Sequence, residues 1–259
     1  MNVHIELLHG AENAFAILDD RASAERTDSE YSGIARAVRD TDGVLVLLPP
    51  ESGDVRMRMF NPDGSEAEMC GNGVRCVARY LEERGEGDRF VVDTLAGPIK
   101  ARLITHSPYT VETQMGIPRV STERELDAAE KRWRYYSVDV GNPHAIIFVD
   151  DPDAIDLEVV GPAIETHADF PGGTNVHFAN VSGRSQLRVR HWERGAGATR
   201  ACGTGIVASA AAAIQNGYVG SPVTVNVPGG TLRVALDNRG QATLTGPVEH
   251  TGARDLVVT

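Results

Sequence analysis

Short runs of alternating apolar and polar residues recur along this chain. Val55–Phe60 (VRMRMF) and residues 186–192 (QLRVRHW) alternate cleanly, which predicts strands with one face buried. Residues 44–48 (VLVLL) and 145–150 (AIIFVD), with Val223–Val227 (VTVNV), read as strands buried more completely. Two stretches carry a helical period instead. Val74, Val77, Ala78 and Leu81 recur at i, i+3, i+4 and i+7 ahead of Gly85. Ile206, Ala210 and Ile214 recur every fourth residue in an Ala-rich run that ends at Gly217. That run is apolar on every side, the mark of a buried helix.

The two predicted helices sit in matching frames. Cys70 precedes Gly85 by fifteen residues, and Cys202 precedes Gly217 by the same number. Each cysteine follows an alternating strand and is followed by Gly-x-Gly (Gly71–Gly73 and Gly203–Gly205). After each helix comes a paired-strand signal with a small-residue turn, at residues 92–103 and 225–236. The order repeats with about a one-residue shift, which predicts an internal duplication and two similar halves.

Composition narrows the function. The chain has 259 residues, 41% hydrophobic and 24% charged, as in ordinary globular proteins. Its net charge is −11 and its basic residues are scattered, which argues against nucleic acid as a partner. The first residues show no basic segment followed by an apolar run, and no stretch approaches the roughly 20 apolar residues of a membrane span. A cytoplasmic protein without a membrane partner is therefore expected. Lys100 and Lys131 are the only lysines, so a Schiff-base cofactor has few anchors. Three cysteines make no disulfide framework, and neither CxxC nor a Cys/His cluster at zinc spacing occurs. Zinc is not expected.

Cys70 and Cys202 then carry the chemistry. A thiol at a helix N-terminus lies near the positive end of the dipole, which favours thiolate. The following glycines let backbone approach a ligand, and the unpaired N–H groups of the first turn attract an anion. If two such ends converge, one thiolate removes a proton from a carbon and the opposite thiol returns one, while the N–H groups hold a carboxylate. The bland reading, that free cysteine is a small hydrophobe, suits Cys76 on the body of the helix.

The residues FNPDGSEAEMCGNGVRC (60–76) and ERGAGATRACGTG (193–205) closely resemble the two signature motifs of the diaminopimelate epimerase family. HGAENAF (9–15), GNPHAIIFV (141–149) and TNVHF (174–178) match as well, in the family's order and across nearly the whole chain. The resemblance implies a cofactor-independent isomerase interconverting LL- and meso-diaminopimelate, and a possible homodimer. It implies an α/β (α+β) fold of two pseudo-symmetric halves, each with strands wrapped around a central helix. On this reading the halves are residues 1–113 and 114–247, and a last strand at about 248–259 returns to the first.

Carried over by position, Cys70 and Cys202 are the acid/base pair. Gly71, Asn72, Gly203 and Thr204 supply backbone donors for the reacting carboxylate. Asn61, Asn142, Asn175 and Arg194 match positions that bind the substrate, chiefly at its distal end. Glu193 matches a carboxylate for an ammonium group, and Asn13 lies at the site's edge. Without the motif these asparagines would read as turn residues and Glu193/Arg194 as a surface pair. His144 is a candidate to orient a thiol. The sequence departs from the family at Ala198, where a Glu is usual, and at Ala14, where an Asp is usual. Residues 38–43 keep only Asp42-Gly43 of a glycine-rich segment.

Three other readings compete. A same-fold racemase of another amino acid, such as histidine, would use the same cysteines but tolerate Arg194→Met. A cysteine hydrolase would need only one of them, with His144 as base. A non-enzymatic amino-acid-binding protein would exchange no α-proton.

Overall fold

The apolar run Gly43–Leu48 is buried along its whole length because a helix covers each of its faces. Val44, Val46 and Leu48 point to one face, where helix α1 (Asp28–Ala37) packs Tyr31, Ile34 and Ala35. Leu45 and Leu47 point to the other, where helix α2 (Gly71–Glu82) packs Val74, Val77, Tyr80 and Leu81. The computed structural model describes residues 2–67 and 69–258. Contacts divide the chain into two units, Met1–Gln114 with Thr245–Thr259, and Met115–Leu244.

In the first unit the ladder runs Glu249–Val257, Asn2–Gly10, Asn13–Asp19, Gly43–Leu48, Val55–Phe60, Arg89–Thr94, Gly97–His106, Tyr109–Gln114. Two neighbouring pairs are parallel, and each requires a crossover helix. Helix α1 links Asn13–Asp19 to Gly43–Leu48, and α2 links Val55–Phe60 to Arg89–Thr94.

The second unit repeats this plan. Its ladder runs Arg124–Ala128, Lys131–Asp139, Pro143–Phe148, Asn175–Gly183, Gln186–Glu193, Val223–Val227, Gly230–Leu236. Helix α3 (Leu157–Glu165) crosses between the parallel strands Pro143–Phe148 and Asn175–Gly183. Helix α4 (Gly203–Gln215) crosses between Gln186–Glu193 and Val223–Val227. The predicted mixed α/β fold with a repeated half is the one observed, and α4 is buried from Gly205 to Ala213 as its all-round apolar pattern requires. The periodicity did not announce α1 or α3.

A buried carboxylate fastens one loop of the first unit. Asp93 accepts N–H bonds from Glu51, Ser52 and Gly53, each at 2.9 Å, and a hydroxyl bond from Ser52. These donors hold its carboxyl well below the usual range, at about 2. A Cβ on Gly53 would lie 2.3 Å from the Val91 carbonyl oxygen, so only glycine lets the loop close. Asp93→Ala strands three backbone donors and is expected to destabilise the fold by about 2–4 kcal/mol, read by urea unfolding. A loss below 0.5 kcal/mol, roughly that of an ordinary surface substitution, would contradict this account.

Candidate active site

Both signature cysteines are N-caps. Cys70 opens α2 in extended backbone, and Val74 N–H donates to its carbonyl at 3.0 Å. Cys202 opens α4 in the same way, with Ile206 N–H donating at 2.8 Å. The N–H groups of Gly71, Asn72, Gly203 and Thr204 therefore lie in helix first turns, where no intrahelical acceptor exists.

In the first unit Asn13 joins the thiol. Its Oδ1 accepts from Asn72 Nδ2 at 3.1 Å and lies 3.8 Å from Cys70 Sγ. Its Nδ2 donates to Asp42 Oδ2 at 2.8 Å, and the same oxygen accepts from Ala14 N–H at 2.7 Å. Asp42 thus sets which way the Asn13 amide points. Gly43 is needed beside it, because a Cβ there would lie 2.9 Å from the Phe60 carbonyl oxygen. The two residues retained from the glycine-rich segment are those with these duties. Asn61 stands apart from this group. Its Nδ2 donates to Ser65 Oγ at 3.0 Å within the turn that follows Val55–Phe60.

In the second unit Cys202 is buried, with Thr204 Oγ1 at 3.6 Å and Gly205 N–H donating to its sulfur at 3.4 Å. Burial pushes this thiol up, and the Glu193 carboxylate, which the thiol hydrogen-bonds, pushes it further. The expectation that a helix N-terminus lowers the thiol fails at Cys202. Desolvation and a neighbouring anion outweigh the partial charge of the dipole. Glu193 also accepts from Thr199 Oγ1 at 2.6 Å. The carboxylate on Cys202 is therefore Glu193, while Ala198 is exposed.

Asn175 uses both ends of its amide within the scaffold. It donates to the Pro143 carbonyl at 3.0 Å and accepts from Arg194 N–H at 3.0 Å. Arg194 is exposed, its stem lies against Gly173, and Nη1 donates to the Gly172 carbonyl at 2.9 Å. Four further guanidinium donors remain for an anion.

Behind Cys202 lies a row of three buried histidines, two of which sequence reasoning passed over. Asn142 Oδ1 accepts from His144 Nε2 at 2.7 Å. His144 Nδ1 and His177 Nε2 are 2.8 Å apart, as are His177 Nδ1 and His191 Nδ1. All three rings are fully buried. Burial holds His144 and His191 down to about 3 and His177 well below its usual value. Each ring is thus neutral and carries one proton, and the order along the row follows. His144 Nε2–H donates to Asn142, His177 Nε2–H to His144 and His191 Nδ1–H to His177. His191 Nε2 is left as a buried acceptor without a partner among the described residues. With Asn142 Oδ1 facing His144, its NH2 is turned away from the row, as a donor. A Cβ on Gly205 would lie 2.2 Å from His177, so α4 approaches the row this closely only through glycine.

Cys76 is fully buried and pushed up to about 12 by desolvation, consistent with an inert packing thiol. Arg75, also missed from sequence, is buried completely on α2. Among the described residues no cluster of His, Cys, Asp and Glu is arranged to hold a metal ion. No helix among them is long and apolar enough to cross a membrane.

Comparison with known proteins fits this architecture. A family model described as diaminopimelate epimerase matches residues 6–121 and again 136–251, once in each half. The diaminopimelate epimerase of Pelotomaculum thermopropionicum is 40% identical over 96% of this chain and 96% of its own. Among solved structures, a PhzF-family phenazine biosynthesis protein of Bacillus anthracis superposes with a TM-score of 0.78 at 17% identity, covering 100% of both chains. A hydroxyproline epimerase of Agrobacterium vitis gives a TM-score of 0.75 at 17% identity, covering 98% of this chain and 91% of that one. At such identities the structural likeness speaks for the fold. Fold and sequence together define an isomerase of the epimerase class. Within that class, the chain belongs to the diaminopimelate epimerase family.

Proposed function

We propose that this protein interconverts LL- and meso-diaminopimelate without metal or cofactor. Cys70 and Cys202 serve as the two acid/base groups at the α-carbon. The observation that carries this reading is the matched placement of the two thiols. Each is the N-cap of the crossover helix in the same position of a repeated unit, with Gly-x-Gly following. A two-base proton transfer needs such a pair, and helix first-turn N–H groups suit the carboxylate whose carbon becomes a carbanion. Gly71, Asn72, Gly203 and Thr204 take that carboxylate.

The distal end of the substrate falls to Asn61, Asn142, Asn175 and Arg194, while Glu193 and Asn13 stand beside the two thiols. Arg194 and the outward NH2 of Asn142 offer donors to a second carboxylate, and Glu193 offers an anion for an ammonium group. The same resemblance supports a cytoplasmic homodimer.

The test is proton NMR of LL-diaminopimelate with reduced protein in heavy water. Loss of the α-proton signal together with appearance of the meso isomer is the expected result. Folded, reduced protein that exchanges no α-proton would overturn the assignment. Exchange with another amino acid only, histidine included, would replace the substrate and keep the chemistry.

A further inference from the structure

Helix α3 ends on an acid, Glu165, and its last turn carries no basic side chain. The C-terminal end of a helix is the negative end of its dipole, where a cation is favoured and a carboxylate is opposed. The helix therefore gains nothing from Glu165. Both carboxylate oxygens are used outside it. Oε2 accepts from the Trp192 indole at 2.6 Å, and Oε1 accepts from Gly195 N–H at 3.1 Å. An indole N–H and a backbone N–H only donate, so each bond has one possible direction.

Glu193 and Arg194 are the residues between these anchors. Side chains alternate along a strand, so Trp192 faces α3, pressed on Gly161, while Glu193 faces the other way and accepts from the Cys202 thiol. The backbone of the turn is pinned at successive N–H groups. That of Arg194 donates to Asn175 Oδ1 at 3.0 Å, that of Gly195 to Glu165, and that of Ala196 to the Glu193 carbonyl at 3.0 Å. Gly195 has φ +76°, a conformation that favours glycine. Among these acceptors Glu165 is the one that grips the chain on both sides of the pair.

We infer that Glu165 is the positioning residue for the Glu193–Arg194 pair. Tied to Trp192 before the pair and Gly195 after it, Glu165 fixes the turn that keeps the Glu193 carboxylate on Cys202 and the Arg194 guanidinium at the surface. It acts through that turn and not on a thiol itself. Its use in turnover rests on the epimerase reading, in which Glu193 and Arg194 meet an ammonium group and a second carboxylate. The contact between Glu193 and Cys202 also gives a readout that needs no substrate. Burial and Glu193 both push that thiol up, whereas His144, His177 and His191 behind α4 are neutral and add no charge.

The experiment is alkylation by iodoacetamide across a pH series from neutral to strongly alkaline, without substrate, with the label on each cysteine quantified by peptide mass. Wild type, Glu165→Ala, Glu165→Gln, Glu193→Gln and the double variant Glu165→Ala/Glu193→Gln are compared. Glu193→Gln removes the neighbouring anion, and the Cys202 midpoint should fall by about one pH unit. Glu165→Ala should lower it by at least half as much and leave Cys70 unmoved. Glu165→Gln keeps one acceptor and turns an NH2 on the other donor, so its midpoint should lie between wild type and Glu165→Ala. The double variant should match Glu193→Gln alone, because Glu165 reaches Cys202 only through Glu193. A general loosening of α3 would instead speed labelling at every pH and leave the midpoint in place. Wild-type midpoints in both Glu165 variants, or a Glu165 effect that persists in full on top of Glu193→Gln, would overturn the inference. Glu165→Gln preserves side-chain size, so the test stands even where Glu165→Ala does not fold. Because no turnover is measured, failure here is distinct from failure of the epimerase assignment, which the NMR assay decides.

Discussion

Cys70→Ala and Cys202→Ala, made separately, should each lower the epimerisation rate by about 10²–10⁴-fold, the contribution of a positioned acid or base. Neither thiol substitutes for the other, because a stereochemical inversion needs a base on one side of the carbon and an acid on the other. A hydrolase would require one cysteine only, so a variant of either cysteine retaining more than a tenth of the rate would discard the two-base scheme. The pH profile adds an independent check. Cys202 must be protonated to act as the acid, and its thiol is raised above its ordinary value of 9 by burial and by Glu193. The alkaline limb of the rate should therefore lie above pH 9. The acid limb marks protonation of the thiolate that acts as base. A rate that falls away by pH 8 would show that the proton held on Cys202 is not the one delivered.

The parts of this molecule that could be read from sequence are those whose physical cause is local. Helices α2 and α4 appear as periods of 3.6, and Gly43–Leu48 appears as an unbroken apolar run because both of its faces are covered. Helix α1 was equally available in principle. Thr27 and Glu30 form a capping box, Thr27 Oγ1 accepting from Glu30 N–H and the Glu30 carboxylate accepting from Thr27 N–H. The helix is short and its apolar face is narrow, so the cap is the only strong signal. Helix α3 has less to show, since Pro162 and Gly161 interrupt its pattern. Gly161 is there because the Trp192 indole lies against it, 2.3 Å from where a Cβ would be. That constraint comes from a strand far along the chain.

The candidate site divides in the same way. The motif residues at Cys70 and Cys202 advertise themselves through spacing, whereas their electrostatic surroundings do not. Nothing in GNGVRC separates Arg75 from an arginine that snorkels to solvent; its complete burial belongs to the assembled unit. His144, His177 and His191 lie on three strands, and strand register alone places His177 opposite His191. A helix dipole is a local property and led to the expectation of an acidic thiol at Cys202. The Glu193 carboxylate and complete burial, both products of the assembled unit, reverse it.

That histidine row makes the second unit acid-labile, and the sign follows from linkage. In the unfolded chain each histidine titrates near 6.5, while in the fold burial keeps His144 and His191 unprotonated down to about 3 and holds His177 well below its usual value. Between these values the unfolded state binds up to three more protons than the folded state, so stability falls as pH falls. At full effect three protons amount to ~4 kcal/mol per pH unit. From pH 6.5 to 4.5 the loss is on the order of 6 kcal/mol, comparable with the whole stability of a typical domain. Carboxylates such as Asp93 exert their pull only below about pH 4, outside this window. The chain has two tryptophans, Trp133 and Trp192, and both lie in the second unit, so their fluorescence reports its unfolding. Urea midpoints read by tryptophan should drop steeply from pH 6.5 to 4.5, and His191→Leu should shallow that slope by about one proton. Midpoints that stay level between pH 7 and 5 would mean that the row takes up protons in the folded state.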